Sequence, residues 1–327
     1  MRRLICLTAL LSLSACAGDD DSTSADAAAA TDGDDDFVQP GLDDPTARQW
    51  EKAGSWYPED RHELDEEVAA LLEAVENPGE PRAAAAVLVP HASLKFSGPT
   101  AAELFARVAL PDTLIILAPD HWGDDTQASI WTEGPWLVPG HAIEIDDALV
   151  ARVQTALPDL ESSRAAFSHH ETEMMLPWIQ YLRPDAKIVP VAIYDNSKND
   201  FPDFDVERIH EFGLALADVV RAEEAAGRSV LLLTTTDLVH HETLAVADEQ
   251  DAQMMTHITE LDVQGLYDYV NAESITIGGE IVTAIMMSAL TELGYDSMDL
   301  VALGDSVHAN SDETDVIGYP AAATWKD

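Results

Sequence analysis

Three short aliphatic runs restrict the fold of this chain more than any other feature of its sequence. They are Val87-Leu88-Val89, Leu114-Ile115-Ile116-Leu117 and Val230-Leu231-Leu232-Leu233. Uninterrupted apolar runs of this length predict strands buried on both faces, as parallel strands are when helices cover them. Longer amphipathic segments alternate with the runs. The pattern therefore predicts an α/β fold with a central, mostly parallel sheet flanked by helices.

The same reasoning gives a set of elements that fills one domain, which we expect to span residues 48–327. No internal repeat divides this region. The predicted strands are residues 84–89, 113–117, 187–193, 229–234 and 298–303. The predicted helices are residues 61–76, 100–109, 145–156, 172–182, 205–226, 244–261 and 279–293.

The first 16 residues are typical of a bacterial lipoprotein signal. Arg2-Arg3 precede an apolar run that ends in Leu13-Ser14-Ala15-Cys16, with the cysteine at the cleavage point. The run is shorter than the roughly 20 residues of a spanning helix. We therefore expect export and lipid anchoring through Cys16 to the bacterial cell membrane or outer membrane, on the periplasmic side or at the surface. An ordinary signal peptide or an uncleaved N-terminal anchor is the alternative.

Charge and cysteine content limit the possible partners and stabilising bonds. The formal net charge is -44, which makes nucleic acid an unfavourable partner. No Lys or Arg occurs in residues 17–47, and this acidic stretch is predicted to be a disordered tether. The only cysteines are Cys6 and Cys16. The domain is therefore expected to contain no disulfide and no cysteine-rich zinc site.

Histidines follow three of the predicted strands. Pro90-His91 comes after the first, His121 follows the second after three residues, and Asp237 and His240 follow the fourth. One such histidine is most often a loop residue. Three at equivalent places predict a site at the carboxyl ends of the strands, where α/β proteins bind ligands. Imidazole and carboxylate together suit a divalent transition metal such as iron, copper or zinc.

Two further segments allow two interpretations each. His169-His170-Glu171-Thr172-Glu173 opens a predicted helix and is either a solvated helix start or a wall of the site. Gly278-Gly279 precedes Glu280 and is either a simple turn or a place where a ligand reaches backbone N–H groups.

Several ordered blocks between Arg48 and Trp325 resemble those of the Memo family, also called AmmeMemoRadiSam system protein B. The blocks are Ala53-Gly54-Ser55-Trp56-Tyr57-Pro58, Val89-Pro90-His91-Ala92, Leu117-Ala118-Pro119-Asp120-His121, His170-Glu171-Thr172-Glu173-Met174-Met175-Leu176-Pro177, Thr236-Asp237-Leu238-Val239-His240 and Asp315-Val316-Ile317-Gly318-Tyr319-Pro320.

The resemblance implies a fold like that of the class III extradiol dioxygenases and a metal pocket at the strand ends. It assigns His91 and His121 to the metal, with Asp237 and His240 beside it. Family members usually carry a cysteine ligand where this chain has Gly278, and a second histidine where it has Met175. An exposed thiolate would be oxidised outside the cytoplasm, and this is a physical reason for glycine instead of cysteine at position 278.

The resulting expectation is a site of two histidines and one carboxylate. Asp237 is the first choice for the carboxylate and Glu280 the second. Such a site suits Fe(II), with copper or zinc as alternatives, and His240 and His170 are the candidate acid–base residues. The leading function is a non-heme oxidoreductase acting on a small aromatic or phenolic molecule. The alternatives are a non-catalytic module that binds a metal, a peptide or a small ligand, and a metal-dependent hydrolase.

Overall fold

The computed structural model of the protein describes residues 41–122, 126–195 and 204–326, which belong to one compact unit. The predicted lipoprotein signal with Cys16 and the predicted tether up to residue 40 lie outside these ranges. Contacts with the folded unit begin before position 48, since Ala47 is buried and the Arg164 guanidinium donates to the carbonyl of Thr46. No helix in the described ranges is long and apolar enough to cross a membrane.

Eleven strands and nine α-helices occur in these ranges. The strands are β1 (Ala84–Val89), β2 (Thr113–Asp120), β3 (Ala128–Ile130), β4 (Trp136–Val138), β5 (His141–Ile143), β6 (Lys187–Tyr194), β7 (Val230–Thr235), β8 (Asp237–Glu242), β9 (Ile277–Gly278), β10 (Asp299–Asp305) and β11 (Val316–Trp325). The helices are α1 (Arg61–Glu73), α2 (Leu94–Phe105), α3 (Asp147–Ala156), α4 (Leu176–Leu182), α5 (Val206–Ala225), α6 (Leu244–Thr259), α7 (Val263–Glu273), α8 (Glu280–Leu293) and α9 (Val307–Asn310).

A mixed sheet of nine strands forms the centre of the described structure, in the order β3-β6-β2-β7-β1-β11-β8-β9, with β10 paired to β11. The strands β6, β2, β7 and β1 run parallel. Antiparallel strands extend the sheet on both sides, β3 next to β6 and β11 next to β1. This confirms the predicted α/β domain with a central sheet flanked by helices.

The aliphatic runs form the middle of this sheet, as predicted. Every residue of β1, β2 and β7 is buried. Helices α5 and α8 pack against each other closely enough to require glycine, since a Cβ at Gly213 would lie 2.4 Å from Ser288 Oγ. Because β2, β7 and β1 are neighbours, the loops at their carboxyl ends meet on one edge of the sheet.

Several predicted elements were wrong in detail. The predicted helix at 100–109 is α2, which starts at Leu94 and contains Pro99. The predicted helix at 172–182 begins as a 3-10 turn, Glu173–Met175, before α4. The segment around Asp237, expected as a loop, is strand β8, which pairs with β11 and β9. Helix α7 and strands β3, β4, β5, β9 and β11 were not predicted.

Candidate metal centre

His91 lies just beyond the end of β1 and is fixed by β7 and β8. Its backbone N–H donates to Asp237 Oδ1 at 2.9 Å, and its ring Nδ1 lies 2.9 Å from the hydroxyl oxygen of Thr235. Asp237 Oδ2 is 3.9 Å from His91 Nε2. Both side chains are almost completely buried. Asp237 therefore positions His91 mainly through the backbone.

Three of the predicted histidines surround one small volume. The ring centroids of His91 and His121 are 5.7 Å apart, those of His91 and His170 5.6 Å, and those of His121 and His170 6.4 Å. The Trp56 ring covers the other side of His170 at 4.4 Å. Neighbouring strands β1 and β2 thus bring His91 and His121 together, and the segment before α4 adds His170.

His240 belongs to the same cluster and lies on strand β8. Its Nδ1 lies 2.9 Å from the carbonyl oxygen of Leu238. The Nδ1 of His121 similarly faces the carbonyl oxygen of Asp195 at 3.4 Å. A ring whose Nδ1–H donates to a carbonyl presents the lone pair of Nε2, which is the arrangement of histidines that bind metals.

Burial keeps these imidazoles neutral. Desolvation, with neighbouring histidines adding to it, holds the pKa of His91 well below its usual value. Burial also lowers the pKa of His121, that of His170 to about 3 and that of His240 to about 4. Burial thus moves the pKa of both candidate acid–base residues, His170 and His240, away from neutral pH. Neutral imidazole is the form that binds a metal.

Carboxyl groups near the cluster are shifted in the opposite direction by the same burial. The pKa of Asp237 rises to about 7 and that of Glu171 to about 8. Burial and the nearby Asp195 raise the pKa of Glu280, at the start of α8, to about 9. One oxygen of Glu171 and one of Glu280 have no hydrogen-bond partner in the described structure. Each is buried and could accept a proton or a cation.

At Gly278 and Gly279 the backbone lies so close to neighbouring residues that there is little room for a side chain. A Cβ at Gly278 would lie 3.0 Å from His240 Cε1 and 3.5 Å from His91 Nε2. At Gly279 it would lie 2.6 Å from Thr236 Oγ1. The position at which the family usually has cysteine therefore faces the histidine cluster, but in this chain it contributes no donor.

A buried network holds the segment that carries His170. Glu173 is fully buried, pairs with Arg48, and accepts from the hydroxyl of Tyr57 at 2.7 Å. Arg48 also donates to the carbonyl of His169 at 2.7 Å. The interpretation of this segment as a solvated helix start is wrong, because Glu171 and Glu173 are both buried. The segment is a wall of the site.

Two adjoining cavities open beside the cluster. One, of about 220 Å³, is lined by His121, His240 and Gly278. The other, of about 310 Å³, has an aromatic wall that includes Trp56. His241 lines both cavities. The first cavity has room for a small molecule beside His121 and His240.

The chemistry of the donors fits a transition metal, although they are not gathered around one point. No group of three or more His, Cys, Asp or Glu side chains in the described ranges is arranged to hold a metal ion. Two properties support this fit. The rings of His121 and His240 direct Nδ1 at backbone carbonyls. One buried carboxyl oxygen of Glu171 and one of Glu280 have no hydrogen-bond partner in the described structure. Sequence reasoning did not identify Glu171 as a candidate metal donor, although its place directly after His170 could have indicated it.

The family model and the relatives found by sequence agree on one family. The family model described as Memo-like protein matches residues 48–323. A MEMO1 family protein of Caldivirga maquilingensis is 29% identical over 251 residues, which cover 73% of this chain and 83% of that relative. One of Methanopyrus kandleri is 29% identical over 284 residues, which cover 82% and 95%. The crystal structure of an uncharacterized Escherichia coli K12 protein aligns with a TM-score of 0.46 and 15% identity, covering 73% of this chain and 98% of that one.

Proposed function

This chain belongs to the Memo-like protein family, and on that premise we propose that it binds a divalent transition metal at the cluster of His91, His121, His170 and His240. Fe(II) is our first choice, with copper and zinc as alternatives. The observation that carries the proposal is the state of the rings. The rings of His121 and His240 direct Nδ1 at a backbone carbonyl and leave Nε2 for a ligand, and burial lowers the pKa of all four histidines.

The proposed activity is oxidation of a small aromatic or phenolic molecule by dioxygen. A bound metal would supply a Lewis-acidic centre with open positions for reactants. The chain's own contribution is to hold that molecule in the aromatic cavity beside Trp56 and to exclude water from the buried histidines.

Anaerobic loading tests the metal. The purified protein is titrated in turn with Fe(II), Cu(II) and Zn(II), and bound metal is counted in wild type and in the double variant His91→Ala, His121→Ala. We expect about one metal per chain in the wild type and loss of binding in the variant. His62→Ala is the matched control, because His62 is a highly exposed histidine on α1. A wild type that binds none of the three metals refutes the proposal.

A second candidate function is binding without turnover, and Gly278 is the observation that favours it. A site that lacks one donor of its relatives could hold a metal or a small ligand without activating it. Oxygen uptake by the metal-loaded protein across a panel of catechols separates the two functions. Uptake supports the oxidoreductase, and a bound ligand without uptake supports the binding module.

We also propose that the protein is exported and anchored through Cys16, as the sequence suggests. Cys16→Ser expressed in a bacterial host should remain uncleaved and incorporate no labelled fatty acid, whereas wild type should be labelled and sediment with membranes. Labelling of both proteins, or of neither, would refute the anchor.

A further inference from the structure

Glu171 is a buried carboxyl group that lies within 4 Å of two histidines of the cluster. Its side chain is 4% exposed, and its Oε1 has no hydrogen-bond partner in the described structure. A buried carboxyl oxygen left without a partner costs free energy that most proteins avoid. Such an atom can still accept a hydrogen bond or bind a cation.

The surroundings of this oxygen are nitrogen atoms of two histidines. Glu171 Oε1 lies 3.5 Å from His170 Nδ1 and 3.8 Å from His121 Nε2. Two donors that share a tetrahedral metal, each about 2.0–2.1 Å from it, are about 3.3–3.5 Å apart. The observed distances are close to that separation. The ring centroids of His121 and His170 are 6.4 Å apart, so the side chains would have to move inward for all three donors to share one ion.

Asp237, the carboxylate that the sequence favoured, is less available. Its Oδ1 accepts the backbone N–H of His91, and its Oδ2 is 3.9 Å from Nε2 of the same residue. Moving Asp237 onto a metal would release that N–H in a buried place. Glu171 has no such bond to Oε1 to break.

We propose that Glu171 is the carboxylate ligand of the metal site, acting with His121 and His170 as a set of two histidines and one carboxylate beside His91. This assignment rests on the proposed metal binding. It explains how the site obtains an anionic ligand although Gly278 carries no thiolate. A two-histidine, one-carboxylate set is typical of non-heme Fe(II) proteins.

Substitution of the carboxyl by an amide tests the assignment. Affinities of the full-length protein for Zn(II) and Co(II) are measured by competition with a chromophoric chelator, and the visible spectrum of bound Co(II) reports its ligands. Loss of an outer partner of a ligand weakens metal binding by about 10–100-fold, so Glu171→Gln is expected to weaken it by more than about 100-fold and to change the Co(II) spectrum.

Glu280→Gln is the matched control, because Glu280 is also buried and also has an unpartnered oxygen. It should bind within about threefold of wild type, and Asp237→Asn should retain the wild-type Co(II) spectrum. Wild-type affinity in Glu171→Gln, or an equal loss in Glu280→Gln, overturns the assignment while leaving metal binding intact. A wild type without bound metal refutes the proposed function instead.

Folding is checked in the absence of metal by circular dichroism and thermal denaturation. Glu171→Gln should melt at or above the wild-type temperature, because it replaces a carboxyl whose oxygen has no partner. Should the variant fold poorly, Glu171→Asp keeps the charge and serves as the second variant. We expect it to retain more affinity than the Gln variant, and the reverse order would contradict the assignment.

Discussion

Removal of the Glu173 carboxylate tests the network that holds the wall of the site. In Glu173→Ala, Arg48 would remain 4% exposed without its ion-pair partner, and the buried Tyr57 hydroxyl would lose its acceptor. An uncompensated buried charge costs about 3–5 kcal/mol and an orphaned buried donor about 1–3 kcal/mol. Because the two losses overlap, we expect about 4–6 kcal/mol in the free energy of unfolding.

For a domain of this size each kcal/mol shifts the melting temperature by about 2–4 °C, so the variant should melt about 8–24 °C below wild type. The measurement is thermal and urea denaturation followed by circular dichroism, with a chelator present so that bound metal adds no stability. Glu171→Gln, two residues away, is the control. Its carboxyl oxygen Oε1 has no partner to lose, and its stability should stay within about 1 kcal/mol of wild type.

The double variant Arg48→Met, Glu173→Ala gives the second part of this test. Removing both charges leaves no stranded ion, so the double variant should be more stable than the sum of the two single changes predicts. A loss below about 1 kcal/mol in Glu173→Ala, or strict additivity in the double variant, would refute the reasoning that this ion pair fixes the segment.

Three further predictions follow from single contacts. Burial raises the pKa of Asp251 from 3.8 to about 7, so its contribution to stability is full below about pH 4 and is lost as the pH rises through about 7. Asp251→Asn should therefore flatten this part of the profile and raise the melting temperature at pH 8, and a wild-type slope in the variant would contradict it. At Gly318 a Cβ would lie 1.8 Å from Asp251 Oδ2, so Gly318→Ala should cost about 1–3 kcal/mol in urea denaturation. That cost should vanish in an Asp251→Ala background, and its persistence would assign it to another contact. Gly278→Cys would place a thiol near His91 Nε2, 3.5 Å from the new Cβ, and should raise zinc affinity at least about tenfold in chelator competition. An unchanged affinity would show that the thiol does not reach the site.

Sequence reasoning found the strands that are buried on both faces, because each of them contains a continuous apolar run. Strand β1 was predicted at its observed bounds, and β2 and β7 nearly so. Strand β11 was missed because it contains Gly318 and Pro320, residues that usually interrupt strands. Its register is fixed by the neighbouring strands β1, β8 and β10, of which β1 and β8 are distant in sequence.

The histidines of the site were predictable for a local reason, since each of His91 and His121 stands directly after a buried strand. Glu171 was not. Its approach to His121 depends on the path of the segment before α4, which the pairing of Arg48 with Glu173 determines across 125 positions of the chain. No local pattern carries that information.

The position of β11 has a consequence for the order of folding. Among the described strands, β8 and β9 pair with the rest of the sheet through β11, which follows every other strand of the sheet in sequence. His91 and His121 lie on one side of this junction, and His240 and Gly278 lie on the other. Completion of the sheet around the cluster therefore requires contacts between strands far apart in the chain, the kind of contact that forms slowly. A partly folded chain would present separate histidines to a metal, and tight binding would report completion of the sheet.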